Sequence, residues 1–128
     1  MCTTKPLGNN TGEIALRCNV TNPKDALGSP SPGWGLLEVS YEDTDNFFNA
    51  AEVVVTLRRV DKFTGSSFKL AEFISNGNGL GKQCKSEAFA HNFDFVNNAY
   101  DVGISVKRTN ATQNPNVWRV RLYPVPVG

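Results

Sequence analysis

The eight residues Tyr100-Asp101-Val102-Gly103-Ile104-Ser105-Val106-Lys107 decide the fold. Tyr100, Val102, Ile104 and Val106 fall on alternate positions with Asp101, Gly103, Ser105 and Lys107 between them, and a period of two marks a strand with one face buried and the other wet. Upstream, Phe89, His91, Phe93 and Phe95 alternate with Ala88, Ala90, Asn92 and Asp94, which predicts a strand over 86–95, turned into the next by Val96-Asn97-Asn98-Ala99. Downstream, the polar run from Arg108 to Asn116 leads into Trp118, Val120 and Leu122 alternating with Val117, Arg119, Arg121 and Tyr123. In that phase Trp118 is a packing residue.

The same signals recur toward the N-terminus. Ile14, Leu16 and Cys18 share one face of a strand over 13–20, and Trp34 to Tyr41 forms another, with the intervening Thr21 to Gly33 broken by three prolines and two glycines. The segment from Asn49 to Asp61 has two readings. Ala50, Val53, Val54, Leu57 and Val60 fit a helical stripe, and Asn49 with Glu52 resembles a capping box. The run Val53-Val54-Val55-Thr56 favours a strand, because four successive β-branched residues crowd the preceding helical turn. Asp61-Lys62-Phe63-Thr64-Gly65 then reads as a hairpin loop into a strand over 67–75. About seven short strands without a long helix predict an antiparallel β-sandwich of Greek-key or jelly-roll type. An immunoglobulin pattern is disfavoured, since the sixth strand carries no cysteine.

A chain of 128 residues makes one domain, 1–128, with residues 1–12 as an N-terminal arm. The 14 asparagines outnumber the 12 acids and cluster at the predicted junctions, as in Asn76-Gly77-Asn78-Gly79, which is turn chemistry. That surplus also explains the three N-x-T triplets at Asn9, Asn19 and Asn110 by composition. Thirteen basic against 12 acidic residues give no net field for nucleic acid, and no window has the length and hydropathy of a membrane span.

Cys2, Cys18 and Cys84 lack metal-ligand spacing and point to one disulfide with one thiol left over. The order of preference is Cys2 with Cys84, Cys18 with Cys84, then Cys2 with Cys18. A disulfide implies a secreted, periplasmic or extracellular setting. Met1-Cys2-Thr3-Thr4-Lys5-Pro6 lacks the apolar stretch of a leader, so the expectation is a mature exported chain carrying an initiator methionine, with a cytoplasmic chain as the alternative.

His91 is the only histidine, and its place among Phe89, Phe93 and Phe95 reads as packing. No nucleophile motif accompanies it, which leaves paired carboxylates as the only route to a hydrolase. Glu42-Asp43-Thr44-Asp45-Asn46 gathers oxygen ligands after a strand, and Asp43 and Asp45 are weak calcium candidates without EF-hand spacing. Trp34, between Gly33 and Gly35, stands where an indole can stack on a sugar. Residues 38–52 hold five acids and no base, whereas 102–128 hold Lys107, Arg108, Arg119 and Arg121 and no acid. These two runs meet either within one molecule or between subunits.

The expectation is a non-enzymatic, extracytoplasmic binding module without a resident cofactor. Its ligand contacts are Trp34, Tyr41, Asp43, Asp45 and Asn46, and its partner is a small molecule, a glycan or another protein subunit. The competing reading is a structural, self-associating surface protein.

Overall fold

The computed structural model describes residues 12–20, 33–43, 51–75, 81–108 and 115–124. They form seven strands: β1 (Gly12–Val20), β2 (Trp34–Asp43), β3 (Ala51–Asp61), β4 (Ser67–Ile74), β5 (Gly81–Ala88), β6 (Asn98–Arg108) and β7 (Asn116–Pro124). All pairings are antiparallel. One sheet runs β1-β6-β3-β4 and the other β5-β2-β7, giving a β-sandwich. β4 and β5 are in contact where the two sheets meet. Three successive strands therefore pass round that edge, with β6 returning beside β3 and β2 lying beside β5, which is Greek-key winding.

The alternation at Tyr100–Lys107 sets the core. Tyr100, Val102, Ile104 and Val106 face inward from β6 and meet Val53, Val55 and Leu57 of β3, all buried. Leu37, Val39 and Tyr41 of β2 and Val117 and Val120 of β7 close the core from the other sheet. The β-branched run in β3 thus serves a strand, with Val53 and Val55 inside and Val54 and Thr56 on the outer face.

The β3–β4 hairpin is fixed by Asp61, whose Oδ1 accepts the Phe63 and Thr64 amides at 2.8 and 3.1 Å. Gly65, at φ 74°, supplies the left-handed residue the turn requires. The two charge runs meet inside the molecule. Arg121 of β7 grips Glu38 of β2 through Nε at 2.7 Å and Nη2 at 3.2 Å, and Lys107 of β6 reaches Glu52 of β3 at 3.0 Å.

Two expectations are corrected. The strand predicted over 86–95 lies earlier, at Gly81–Ala88, and 89–97 is an irregular segment. Its alternating aromatics pack on one another instead of lining a sheet. Phe93 stacks on Phe95 at 6.0 Å, meets Tyr100 at 4.6 Å and takes the Trp34 edge at 5.1 Å. Alternation cannot distinguish a strand from an extended plug that closes one end of a sandwich. Trp118, read as packing, is 41% exposed while Val117 and Val120 are buried. The β2–β7 register steps from Ser40↔Arg119 to Tyr41↔Val117, so Trp118 is the extra residue of a bulge and its side chain is thrown outward.

Candidate functional site

The residues predicted to contact ligand do not share one place. Trp34 and Asp43 stand at opposite ends of β2, and Trp34 and Tyr41, seven residues apart, are separated by about 23 Å at strand rise. Trp34 is half-buried against Phe93 and Phe95 at the core end. Tyr41 is fully buried and packs on Phe73 at 4.9 Å, which corrects its assignment as a ligand contact. Asp43 is the last residue of β2 and pairs with Gly81, whereas Asp45 and Asn46 lie outside the described residues. Among the described residues no group of three His, Cys, Asp or Glu side chains could hold a metal ion, and no helix is long and apolar enough to cross a membrane.

Cys84 is an exposed free thiol on β5, opposite Ser40, whose hydroxyl lies 3.5 Å from Sγ. Both preferred pairings are thereby corrected. Cys84 points outward from the three-stranded sheet, whereas Cys18 is buried at 6% exposure beneath the four-stranded one, so these two sulfurs face different ways. Cys2 lies outside the described residues.

His91 is held in place. Its Nε2 lies 2.8 Å from the Tyr100 hydroxyl, which also accepts the Asp94 amide at 2.9 Å. Burial, and then the charge of Arg59, lower the imidazole pKa below 6.5, with Asp94 pulling the other way. A neutral ring wedged between Phe93 and Tyr100 braces the aromatic end of the core.

Among the described residues a concave feature lies on the outer face of the four-stranded sheet. The alternation that sends Val102 and Ile104 inward sends Asp101, Gly103 and Ser105 outward on β6, where they meet Ala15, Arg17 and Asn19 of β1 and Val54, Thr56 and Arg58 of β3. Small residues at the middle of that face leave an open groove of about 530 Å³, floored by Val54, Thr56, Gly103 and Ser105 and flanked by Arg17 and Arg58. The volume lies within the usual range of ligand clefts.

Gly103 makes the groove. It pairs with Arg17 on one side and Thr56 on the other, one inter-strand step of about 5 Å each way. The Arg58 guanidinium lies across it, and a Cβ added to Gly103 would stand 3.1 Å from Arg58 Nη2. A glycine inside a strand weakens it and frequently marks a close approach. Here the approach is made by an arginine.

The charges on this face are unevenly matched. Glu52 is paired with Lys107, and Glu72 with Lys69 at 3.5 Å and the Thr56 hydroxyl at 3.4 Å. Among the described residues neither Arg17 nor Arg58 makes an ion pair or a side-chain hydrogen bond. Asp101, in register with Arg58, has a buried Oδ1 without a hydrogen-bond partner among the described residues. Among the described residues, Arg17 and Arg58 in the groove with Asp101 beside it amount to one net positive charge.

Sequence reasoning placed Gly103 and Ser105 on an outward face but found no site there. Gly103 in mid-strand was the available signal. Arg17 and Arg58 sit 41 positions apart and come to line one groove only through the β1-β6-β3 order. No family model matches the chain, and no curated protein or solved structure matches it either.

Proposed function

We propose that the protein is a non-enzymatic, extracytoplasmic binding module whose ligand lies on the outer face of the four-stranded sheet. One observation carries this reading: two arginines without ionic partners among the described residues flank a 530 Å³ groove, one lying over the glycine at its floor and the other beside it on the neighbouring strand. The β1-β6-β3 pairing fixes the strand positions from which the two guanidinium groups reach the groove, and each brings donors not engaged by a described residue. A disulfide between Cys2 and Cys18 belongs to the same proposal. Its support is that Cys84 is a free thiol, which leaves Cys2 as the cysteine that can bridge Cys18. Such a bridge suits an oxidising compartment.

Backbone amide shifts recorded against a panel of neutral and charged saccharides, amino acids and phosphates test the location. The expected result is a contiguous set of shifts at Arg17, Thr56, Gly103 and Ser105. Shifts confined to the Trp34 end, or none with any compound, refute it.

A second reading, self-association, draws on a different observation. Phe63 is 81% exposed and Val96 74%, each at the tip of a turn held by an aspartate, and the two turns are tied by Lys62 Nζ donating to the Phe95 carbonyl at 2.7 Å. Large apolar side chains presented on ordered tips fit a protein partner. Light scattering separates the readings: a stable oligomer that Phe63→Ser dissociates favours the structural one.

A further inference from the structure

We infer that the groove over Gly103 binds a saccharide through a single carboxylate, a uronic-acid-type ligand, held between Arg17 and Arg58. The inference rests on the location proposed above and adds the ligand's chemistry.

Guanidinium groups bind planar oxyanions by paired N–H donors, and two of them at one point define an acidic ligand. Arg58 already lies over Gly103, and Arg17 stands beside the same residue on the neighbouring strand, so one carboxylate above Gly103 is within reach of both. Asp101 limits the charge of that ligand. Its carboxylate occupies the next outward position on β6, in register with Arg58, and repels a polyanion such as a triphosphate or a nucleic-acid backbone. A net charge of one positive at the groove matches one negative charge per ligand unit.

The floor selects a hydroxylated ligand. Ser105, the next outward residue of β6, presents a hydroxyl able to donate and to accept, and the Thr56 hydroxyl across from Gly103, its proton given to Glu72, keeps lone pairs to accept. Among the described residues no aromatic ring lines the groove, so affinity there comes from charge-assisted hydrogen bonds and not from stacking on a sugar face. Val54 and Ala15 supply small apolar contacts for the ring carbons.

The test titrates the full chain calorimetrically with a trisaccharide carrying one galacturonate residue, its carboxyl-reduced neutral counterpart, the same trisaccharide with one sulfate in place of the carboxylate, an aspartate-containing tripeptide and inorganic phosphate. The expected result is binding of the uronate, no measurable binding of the reduced sugar, and a loss of about tenfold or more for Arg17→Gln or Arg58→Gln. Both variants change surface residues, so thermal melts near the wild-type value establish that they fold. Equal binding of the reduced sugar overturns the carboxylate assignment and leaves the location standing, provided the amide shifts still fall on the groove. Preferential binding of the sulfated sugar, the peptide or phosphate overturns the saccharide carboxylate in favour of that chemistry. If the uronate binds but both glutamine variants bind it as tightly as wild type, or if no probe binds, the inference fails.

Discussion

Replacing Gly103 with valine separates a residue kept for folding from one kept for binding. Glycine inside a strand costs roughly 0.5–1 kcal/mol relative to alanine, and a β-branched residue is favoured further on a half-buried sheet. Gly103 does not have a positive φ, so a side chain meets no backbone strain there. The nearest obstacle to a Cβ is Arg58 Nη2 at 3.1 Å, followed by Arg58 Cζ and the Thr56 carbonyl oxygen at 3.9 Å. The first two belong to the free end of a flexible side chain that can swing away at small cost. Gly103→Val should therefore leave stability unchanged or raise it by up to about 1 kcal/mol, a gain of roughly 2–6 °C in the melting midpoint of a domain this size. The same substitution fills the groove floor and displaces the Arg58 guanidinium, so ligand affinity should fall by tenfold or more. Calorimetric melting and a binding titration on one preparation measure both. A midpoint lowered by more than a few degrees would show that Gly103 is structural, and unchanged affinity would show that the groove is not the site.

Tyr100→Phe removes the hydroxyl that accepts the Asp94 amide and bonds to His91, and should destabilise the domain by about 1–3 kcal/mol in urea unfolding. A loss below 0.5 kcal/mol would mean that water takes over both partners. His91 gives a pH signature: burial and Arg59 depress its folded-state pKa below 6.5, so the unfolded chain takes up the proton more readily. Stability is then fully present above about pH 6.5 and declines as pH falls through 6.5 toward the folded-state pKa, and since there is no other histidine, His91→Gln should flatten the profile between pH 7.5 and 5.5. An identical slope in the variant would exclude His91 as its source. Cys84 should react with a maleimide in the native protein at one equivalent per chain, as seen by intact mass, and Cys84→Ala should abolish labelling with little change in stability. Two or more equivalents under native, non-reducing conditions would contradict the proposed pairing of Cys2 with Cys18.

Where the sequence misled, it did so for local reasons. Trp118 alternates with Val120 as a core residue would, but a bulge shifts β7 by one position against β2, and bulges are set by what the partner strand needs. Phe89, His91, Phe93 and Phe95 alternate as a strand would, yet they leave the sheet to cap the end of the core around Tyr100. Trp34, Tyr41 and Asp43 are close in sequence and read as one site, but a strand carries its residues apart in space, and Trp34 and Tyr41 are both spent on the core at different ends of β2.

The pattern of apolar alternation, the β-branched run at Val53–Thr56 and the Asn- and Gly-rich junctions were enough to determine an all-β domain of seven strands, because burial of one strand face is written locally with a period of two. Strand order is not written locally. It depends on which strands pair across long separations, and that alone set Arg17, Arg58 and Gly103 around one groove, joined Glu38 to Arg121 and Glu52 to Lys107, and turned Cys84 away from Cys18. The Tyr100–Lys107 strand belongs to both accounts: its inward residues made the fold legible, and its outward Gly103 acquired a meaning only once β1 and β3 lay on either side of it.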